Sequence, residues 1–558
     1  MIRTFEQHKL RKQIELTGKK LWEFSPLEGE HAGKIYKVAT PSIWESYPDF
    51  RGYRGEGIYK TTFRAGGNIR LEFKGVSHTA TVYLDGKEIT NHYNAYTSFE
   101  VILKDLEEKE HILEIKADNR FSEKSALHIP NDYMSYGGVS RPVVLEELKD
   151  VYLKQIHYST HLENECFRVP VEITVSNISN TNRAIKVSCL LAGIMREYDI
   201  EVKANSESVI KDEIIVKDVE KWEVHSPNLY DVQAILSIGD EKTDDLIDRI
   251  GFRDIKVIKN TIYLNNKKVR IKGLCRHEDH PQFGCALPYM AIEKDIEIIE
   301  NLGANSIRTT HYPNDEIFLD LCDEKGILVW EENHARGLSE QDMRNPYFEE
   351  QAENVIKEML PLHYNHPCIY IWGILNECAS ETEYGKECYS KQIDLIKTLD
   401  TTRPTSFASC KFKTDICFGL PDVVSYNIYP LWYHDTKPSV YIDDLYTWIQ
   451  KETDGKGKPF LITEIGAGGI FGYHNDYQSK WTEEYQAKAL KEQLSSVLSY
   501  ENCQGVYIWQ FCDGRISEEW FHTRPRTMNN KGIVDEFRRR KQAYKVVKEI
   551  YESYADFF

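Results

Sequence analysis

Glu377 closes the apolar run Ile369-Tyr-Ile-Trp-Gly-Ile-Leu-Asn376-Glu377, and Glu464 closes a second, Pro459-Phe-Leu-Ile-Thr-Glu464. A short continuous apolar run bounded by polar residues fits a strand buried on both faces, as in parallel sheets and barrels. Each carboxylate would then stand at the C-terminal lip of its strand, where (β/α)8 barrels do their chemistry. Two carboxylates placed this way are what glycoside hydrolysis needs, one as general acid and one as nucleophile or base.

Polar groups follow the other candidate strands as well. They include Arg276-His277-Glu278-Asp279, Arg308-Thr-Thr-His311-Tyr312, Glu331-Glu332-Asn333-His334-Ala-Arg336, Asn427-Ile-Tyr429-Pro-Leu-Trp-Tyr433 and Trp509-Gln-Phe-Cys-Asp513. One such cluster would ordinarily be structural, but so many at one rim are hard to explain as packing.

The elements that must position them form a chain of 558 residues, too long for a single core. Residues 1–150 read as β, with alternating runs at Ile69–Phe73 and Ala80–Leu84, a strand-like run at His111–Ile115 and a hairpin signal at Asp85-Gly86, which suggests a sandwich or jelly roll. Residues 151–255 continue with strand patterns at Val171–Val175, Ile185–Cys189 and Val232–Ile238 and fit an immunoglobulin-like β-sandwich. From 256 to 558, apolar strands alternate with amphipathic helices such as Ala291–Asn301 and Pro346–His363. Eight strands are expected near 269–274, 304–309, 327–331, 369–375, 404–408, 423–428, 459–464 and 505–510, which points to a closed (β/α)8 barrel.

A formal charge of −18 disfavours nucleic acid or an anionic membrane as partner, yet allows an acidic small substrate where cations gather locally. No run approaches the roughly 18 apolar residues of a membrane span. The start, Met1-Ile-Arg-Thr-Phe-Glu, lacks the apolar core of a secretion signal. Twelve cysteines without a C-x-x-C pair read as reduced thiols, so a cytoplasmic location is expected. No metal is expected at Arg276-His-Glu-Asp-His280, whose residues are consecutive, and no nucleotide cofactor, since no G-x-G-x-x-G precedes a helix. Arg538-Arg-Arg-Lys541 reads as the solvated face of a helix.

Asn305-Ser-Ile-Arg308-Thr-Thr-His311-Tyr-Pro313 and Asn365-His-Pro-Cys-Ile-Tyr-Ile-Trp372-Gly-Ile-Leu-Asn376-Glu377 resemble the two diagnostic stretches of glycoside hydrolase family 2, the β-galactosidases and β-glucuronidases. The resemblance covers essentially the whole chain and implies a retaining mechanism with Glu377 as acid/base and Glu464 as nucleophile, their carboxyls roughly 5–5.5 Å apart. It further implies that Asn376 binds the sugar 2-hydroxyl, Tyr429 holds the nucleophile, Asp132 reaches the distal hydroxyls above His277, and Tyr433 and Trp509 line the site. Asn529-x-Lys531 resembles the pair by which β-glucuronidases grip a C6 carboxylate, so a small uronide is the expected substrate.

Two positions depart from the family pattern. The arginine that β-glucuronidases place ahead of that pair falls on Pro525, between Arg524 and Arg526. Arg336 stands where a typical glucuronidase loop is apolar, and a donor there could favour the axial C4 hydroxyl of a galacturonide. The resemblance implies an exo-acting β-hexuronidase on glucuronides, galacturonides or both, assembled as a homo-oligomer, a dimer or tetramer. A C4-selective β-galacturonidase, a neutral β-galactosidase and a catalytically dead sugar-binding protein remain the alternatives.

Overall fold

The computed structural model describes residues 2–558. Near the N-terminus the long strands Glu56–Phe73 and Phe99–Asp118 pair antiparallel inside an eight-stranded sheet. A three-stranded sheet of Ser42–Ile43, Gly138–Val139 and Val76–Ser77 contributes to the same apolar core, as in a jelly roll. Asp85 and Gly86 both take positive φ, 51° and 79°, and close the hairpin expected between Thr79–Leu84 and Lys87–Tyr93.

Two four-stranded antiparallel sheets follow and share a second core that includes Val169, Ile173, Val187 and Leu236, as in an immunoglobulin-like sandwich. The sandwich docks through buried polar contacts. Trp222 Nε1 donates to the Asp323 carbonyl at 2.8 Å, and Arg253 donates to the Pro367 and Ile369 carbonyls at 3.1 Å each. On its other side, Arg11 joins Asp244 to Glu146 of the first sheet.

The remaining chain closes a parallel barrel of eight strands. They are β1 Ile271–Arg276, β2 Ser306–Thr309, β3 Leu328–Glu332, β4 Ile369–Ile374, β5 Thr405–Ser409, β6 Val424–Asn427, β7 Phe460–Ile465 and β8 Cys503–Ile508. Every expected strand lies within two residues of an observed one. Each is buried along its whole length, which is why apolar runs such as Ile369–Ile374 rather than alternating patterns marked the clearest of them. The helix Glu316–Lys325 shows how the connections are set. Asp315 accepts from the Ile317 N–H at its start, and Gly326, at φ 67°, ends it in the left-handed conformation.

One expectation is corrected. Residues 538–541 precede the last helix, which begins at Gln542, and Arg538 has φ 66°. Arg538 is mostly buried and donates to Asp295 at 2.8 and 3.0 Å, while the fully buried Lys541 ammonium meets Asp513 at 2.7 Å. A run of cations looks solvated when its counter-charges lie far away in the chain, and here Asp295 and Asp513 supply them.

The first domain's loop 129–141 lies against the barrel rim. Arg141 donates to Glu278 at 2.8 Å and to the Pro313 carbonyl at 2.9 Å, and the Tyr136 hydroxyl donates to Asp279 at 2.5 Å.

Candidate active site

At the end of β4 the backbone leaves the strand. Leu375 and Glu377 take φ of 42° and 54°, a region that bulky L-residues rarely enter. The turn is held from outside: Asn376 N–H donates to the Ala335 carbonyl at 3.1 Å and Glu377 N–H to the Ala408 carbonyl at 2.9 Å. Successive side chains of a strand point to opposite faces, and this turn cancels that alternation. Asn427 Nδ2, at the end of β6, donates to both Asn376 Oδ1 (3.1 Å) and Glu377 Oε1 (3.0 Å). Thr463 donates to the Asn427 oxygen at 2.8 Å and fixes the orientation of that amide.

Glu464 comes from β7. Its carboxylate accepts from Arg308 Nη1 at 3.1 Å and from the Tyr429 hydroxyl at 2.6 Å. Arg308, fully buried at the end of β2, also donates to Asn376 Oδ1 at 2.8 Å and to Glu332 at 2.8 and 3.1 Å. One guanidinium thus ties the end of β2 to three other barrel strands, β3, β4 and β7. The Asn376 Nδ2 atom is buried without a protein partner.

Burial and the charge of Glu377 push the Glu464 carboxyl up to about 8, against the pull of Arg308, Tyr429 and Arg336. Near neutral pH the protonated form of Glu464 is therefore favoured. The two donors on Glu464, Arg308 and Tyr429, act the other way and favour its anion.

The opposite wall is built on Asp132, from the first domain. Arg336 Nη2 lies 3.3 Å from Asp132 Oδ1 and 3.6 Å from Glu377 Oε2. Arg524 Nη2 lies 3.5 Å from Asp132 Oδ2, which also accepts from Asn529 at 3.4 Å. Burial alone would raise the Asp132 carboxyl, but Arg336, Lys531 and Arg524 outweigh it and hold it at about 2. The Nε atoms of Arg336 and Arg524 are buried without partners. Lys531 donates to the Tyr433 hydroxyl at 3.0 Å and lies over the rings of Tyr429, Trp432 and Tyr433. Among the described residues no carboxylate lies within ion-pair distance of it.

His277 and Trp509 form the floor. Buried His277, whose burial pushes it well below the usual imidazole range, bonds the Tyr312 hydroxyl through Nδ1 at 3.2 Å and leaves Nε2 unpartnered. Trp509 meets the His277 ring edge-on at 5.3 Å and stacks on His311 at 5.1 Å.

Every site residue named from the sequence thus falls in one network or on its floor: Glu377, Glu464, Asn376, Asp132, His277, Arg336, Tyr429, Tyr433, Trp509, Asn529 and Lys531. The doubt between Arg524 and Arg526 resolves in the backbone. Arg526 and Thr527 take φ of 60° and 55°, and the chain sends Arg524 toward Asp132 and Arg526 to Glu536 at 2.5 Å. Arg308 and Asn427 received no role in the sequence reading, although both stand at strand ends inside motifs already singled out. Asn131 was passed over because its partners are 205 and 386 positions away.

Four carboxylates (Glu332, Glu377, Glu464, Asp132) face four cations (Arg308, Arg336, Arg524, Lys531), an even balance in a protein whose total is −18. A barrel with paired glutamates on β4 and β7, amide and aromatic donors around them and a cationic far wall is a glycoside hydrolase. Residues 255–555 match the TIM barrel domain of glycosyl hydrolases family 2, residues 151–253 a further model of glycosyl hydrolases family 2, and residues 53–159 the glycosyl hydrolase 2 galactose-binding domain-like model. The chain belongs to that family. It is 56% identical to a GH2 β-galacturonidase from Eisenbergiella tayi solved with bound galacturonate, each chain covering 100% of the other at a TM-score of 0.98. A β-glucuronidase from Streptococcus agalactiae is 28% identical over 86% of this chain and 84% of its own. A putative β-glucuronidase from Formosa agariphila is 27% identical over 89% of this chain, which spans 64% of that protein's length.

Proposed function

We propose that the protein is a retaining, exo-acting β-hexuronidase that prefers β-galacturonides. The observation that carries the reading is Arg336, within ion-pair reach of both Asp132 and Glu377 and left with an unpartnered Nε. The kinship with the Eisenbergiella tayi β-galacturonidase supports it.

In this reading Lys531, Asn529 and Arg524 receive the C6 carboxylate through charge-assisted hydrogen bonds. Asp132 and Arg336 bracket the C4 hydroxyl, and the free Asn376 Nδ2 donates to the 2-hydroxyl. Glu464, steadied by Tyr429 and Arg308, attacks the anomeric carbon while Glu377 passes its proton to the departing aglycone oxygen. Glu377 then removes a proton from water, which displaces Glu464 and restores both groups. The unpaired cysteines support a reducing compartment such as the cytoplasm.

Arg336→Ala tests C4 selection. The ratio of kcat/KM for p-nitrophenyl β-galacturonide to that for the β-glucuronide should fall roughly tenfold, the worth of one hydrogen bond to a charged group. An unchanged ratio ends the preference. Lys531→Met tests the uronate itself: kcat/KM for either uronide should fall roughly 100-fold, while turnover of the neutral β-galactoside should not decline. Equal losses on uronide and galactoside would point to a neutral substrate instead.

A further inference from the structure

After β8 the chain makes an excursion closed at its root by the two-residue pairing of Gly514–Arg515 with Met528–Asn529. Its return strand leads directly to Lys531. Its outgoing half is pinned to the first domain: Ser517 N–H donates to the Asn131 carbonyl at 3.0 Å, Asn131 N–H to Ser517 Oγ at 3.1 Å, and Arg54 pairs with Glu518 at 3.0 Å. Asn131 reaches from there to Arg336, accepting from Nη1 at 2.6 Å and donating to the Arg336 carbonyl at 3.4 Å. The excursion also carries Trp520, whose ring lies 5.9 Å from the Arg336 guanidinium and 5.7 Å from that of Arg524.

Two like charges thus converge on opposite oxygens of Asp132, and one indole lies against both. Guanidinium groups favour aromatic faces within about 6 Å. Without that face and the Asn131 acceptor, Arg336 could swing between Asp132 and Glu377, both of which lie within reach. We propose that Asn131 and Trp520, locked together through Ser517, are positioning residues that hold Arg336 at the C4 side of the sugar and so set selection between C4 epimers. The proposal rests on the C4 reading of Arg336 given above.

The experiment compares Trp520→Leu, Trp520→Phe and Asn131→Ala with Arg336→Ala in the intact protein, on both p-nitrophenyl uronides. Trp520→Leu should lower the galacturonide-to-glucuronide ratio of kcat/KM roughly threefold to fivefold, the scale of one exposed cation–π contact, and Trp520→Phe should restore most of it. Asn131→Ala should lower the ratio roughly tenfold by removing a hydrogen bond to a charged group. The losses should fall on KM for the galacturonide rather than on kcat. A merely structural loss would lower both substrates alike and would not respond to phenylalanine.

The failures are distinguishable. If Arg336→Ala moves the ratio and both Trp520→Leu and Asn131→Ala leave it unmoved, the positioning frame is wrong and the C4 reading stands. If Arg336→Ala itself leaves the ratio unmoved, the C4 reading fails and takes the frame with it.

Discussion

Replacing Glu464 with Gln should lower uronide kcat/KM by on the order of 10⁴-fold or more, the size of loss that follows removal of a nucleophile whose partners act with it as a unit. An amide of the same shape still fits between Arg308 and Tyr429. It cannot form the covalent intermediate. Residual activity within tenfold of wild type would move the nucleophile elsewhere.

The same variant should be more stable, and the sign follows from the carboxyl's two environments. In the folded protein Glu464 titrates at about 8, against 4.5 for the exposed group. Below pH 4.5 it is neutral folded or unfolded and costs nothing. As pH rises toward 8 the unfolded chain gains an anion that the folded site resists, so wild-type stability drains across that window. Gln does not titrate. Its advantage should therefore be absent near pH 4.5, grow between pH 4.5 and 8, and level off above, reaching several degrees in melting temperature. A melting temperature that follows the wild type across that range would show that the site accepts the anion without cost.

The barrel could be read from the sequence because its strands are buried on both faces, and that burial writes itself as runs such as Ile369–Ile374. Residues at strand ends came with it, since the position of a strand fixes its lip. Contacts between segments far apart were harder. Asp132 could be named only through resemblance, since nothing in Pro130-Asn-Asp132 tells that three cations wait hundreds of residues downstream. Arg524 and Arg526 are equivalent as letters, and only the left-handed turn at Arg526 and Thr527 separates them. Arg538 and Lys541 misled for the same reason: a charge run carries no record of its buried partners.

The asymmetry between the two glutamates also has a local origin. Glu464 stays on its strand and accepts from Arg308 and Tyr429, whereas Glu377 lies in a left-handed turn and meets Asn427 and Arg336. A group that must attack a carbon benefits from being aimed.

In the proposed mechanism the effect of Glu377→Gln depends on the leaving group. With a phenyl or alkyl galacturonide, whose aglycone needs a proton to depart, kcat/KM should fall roughly 10²- to 10⁴-fold, the range of general acid catalysis. With the 2,4-dinitrophenyl galacturonide, which departs unaided, kcat/KM should fall less than about tenfold, because that constant reports only the steps through formation of the intermediate. Its kcat should still drop, since water now lacks its base, and a burst of dinitrophenol should precede a slow steady state. Azide, which needs no base, should restore kcat and yield the β-glycosyl azide, the product of two inversions. The pH profile adds a check of sign. The charge of Glu377 is one of the causes that raise Glu464, so its removal should shift the acidic limb of kcat/KM for the dinitrophenyl substrate to lower pH. Equal losses across the three aglycones, or an acidic limb that stays in place, would mean that Glu377 neither gives the proton nor faces Glu464 closely enough to set its charge.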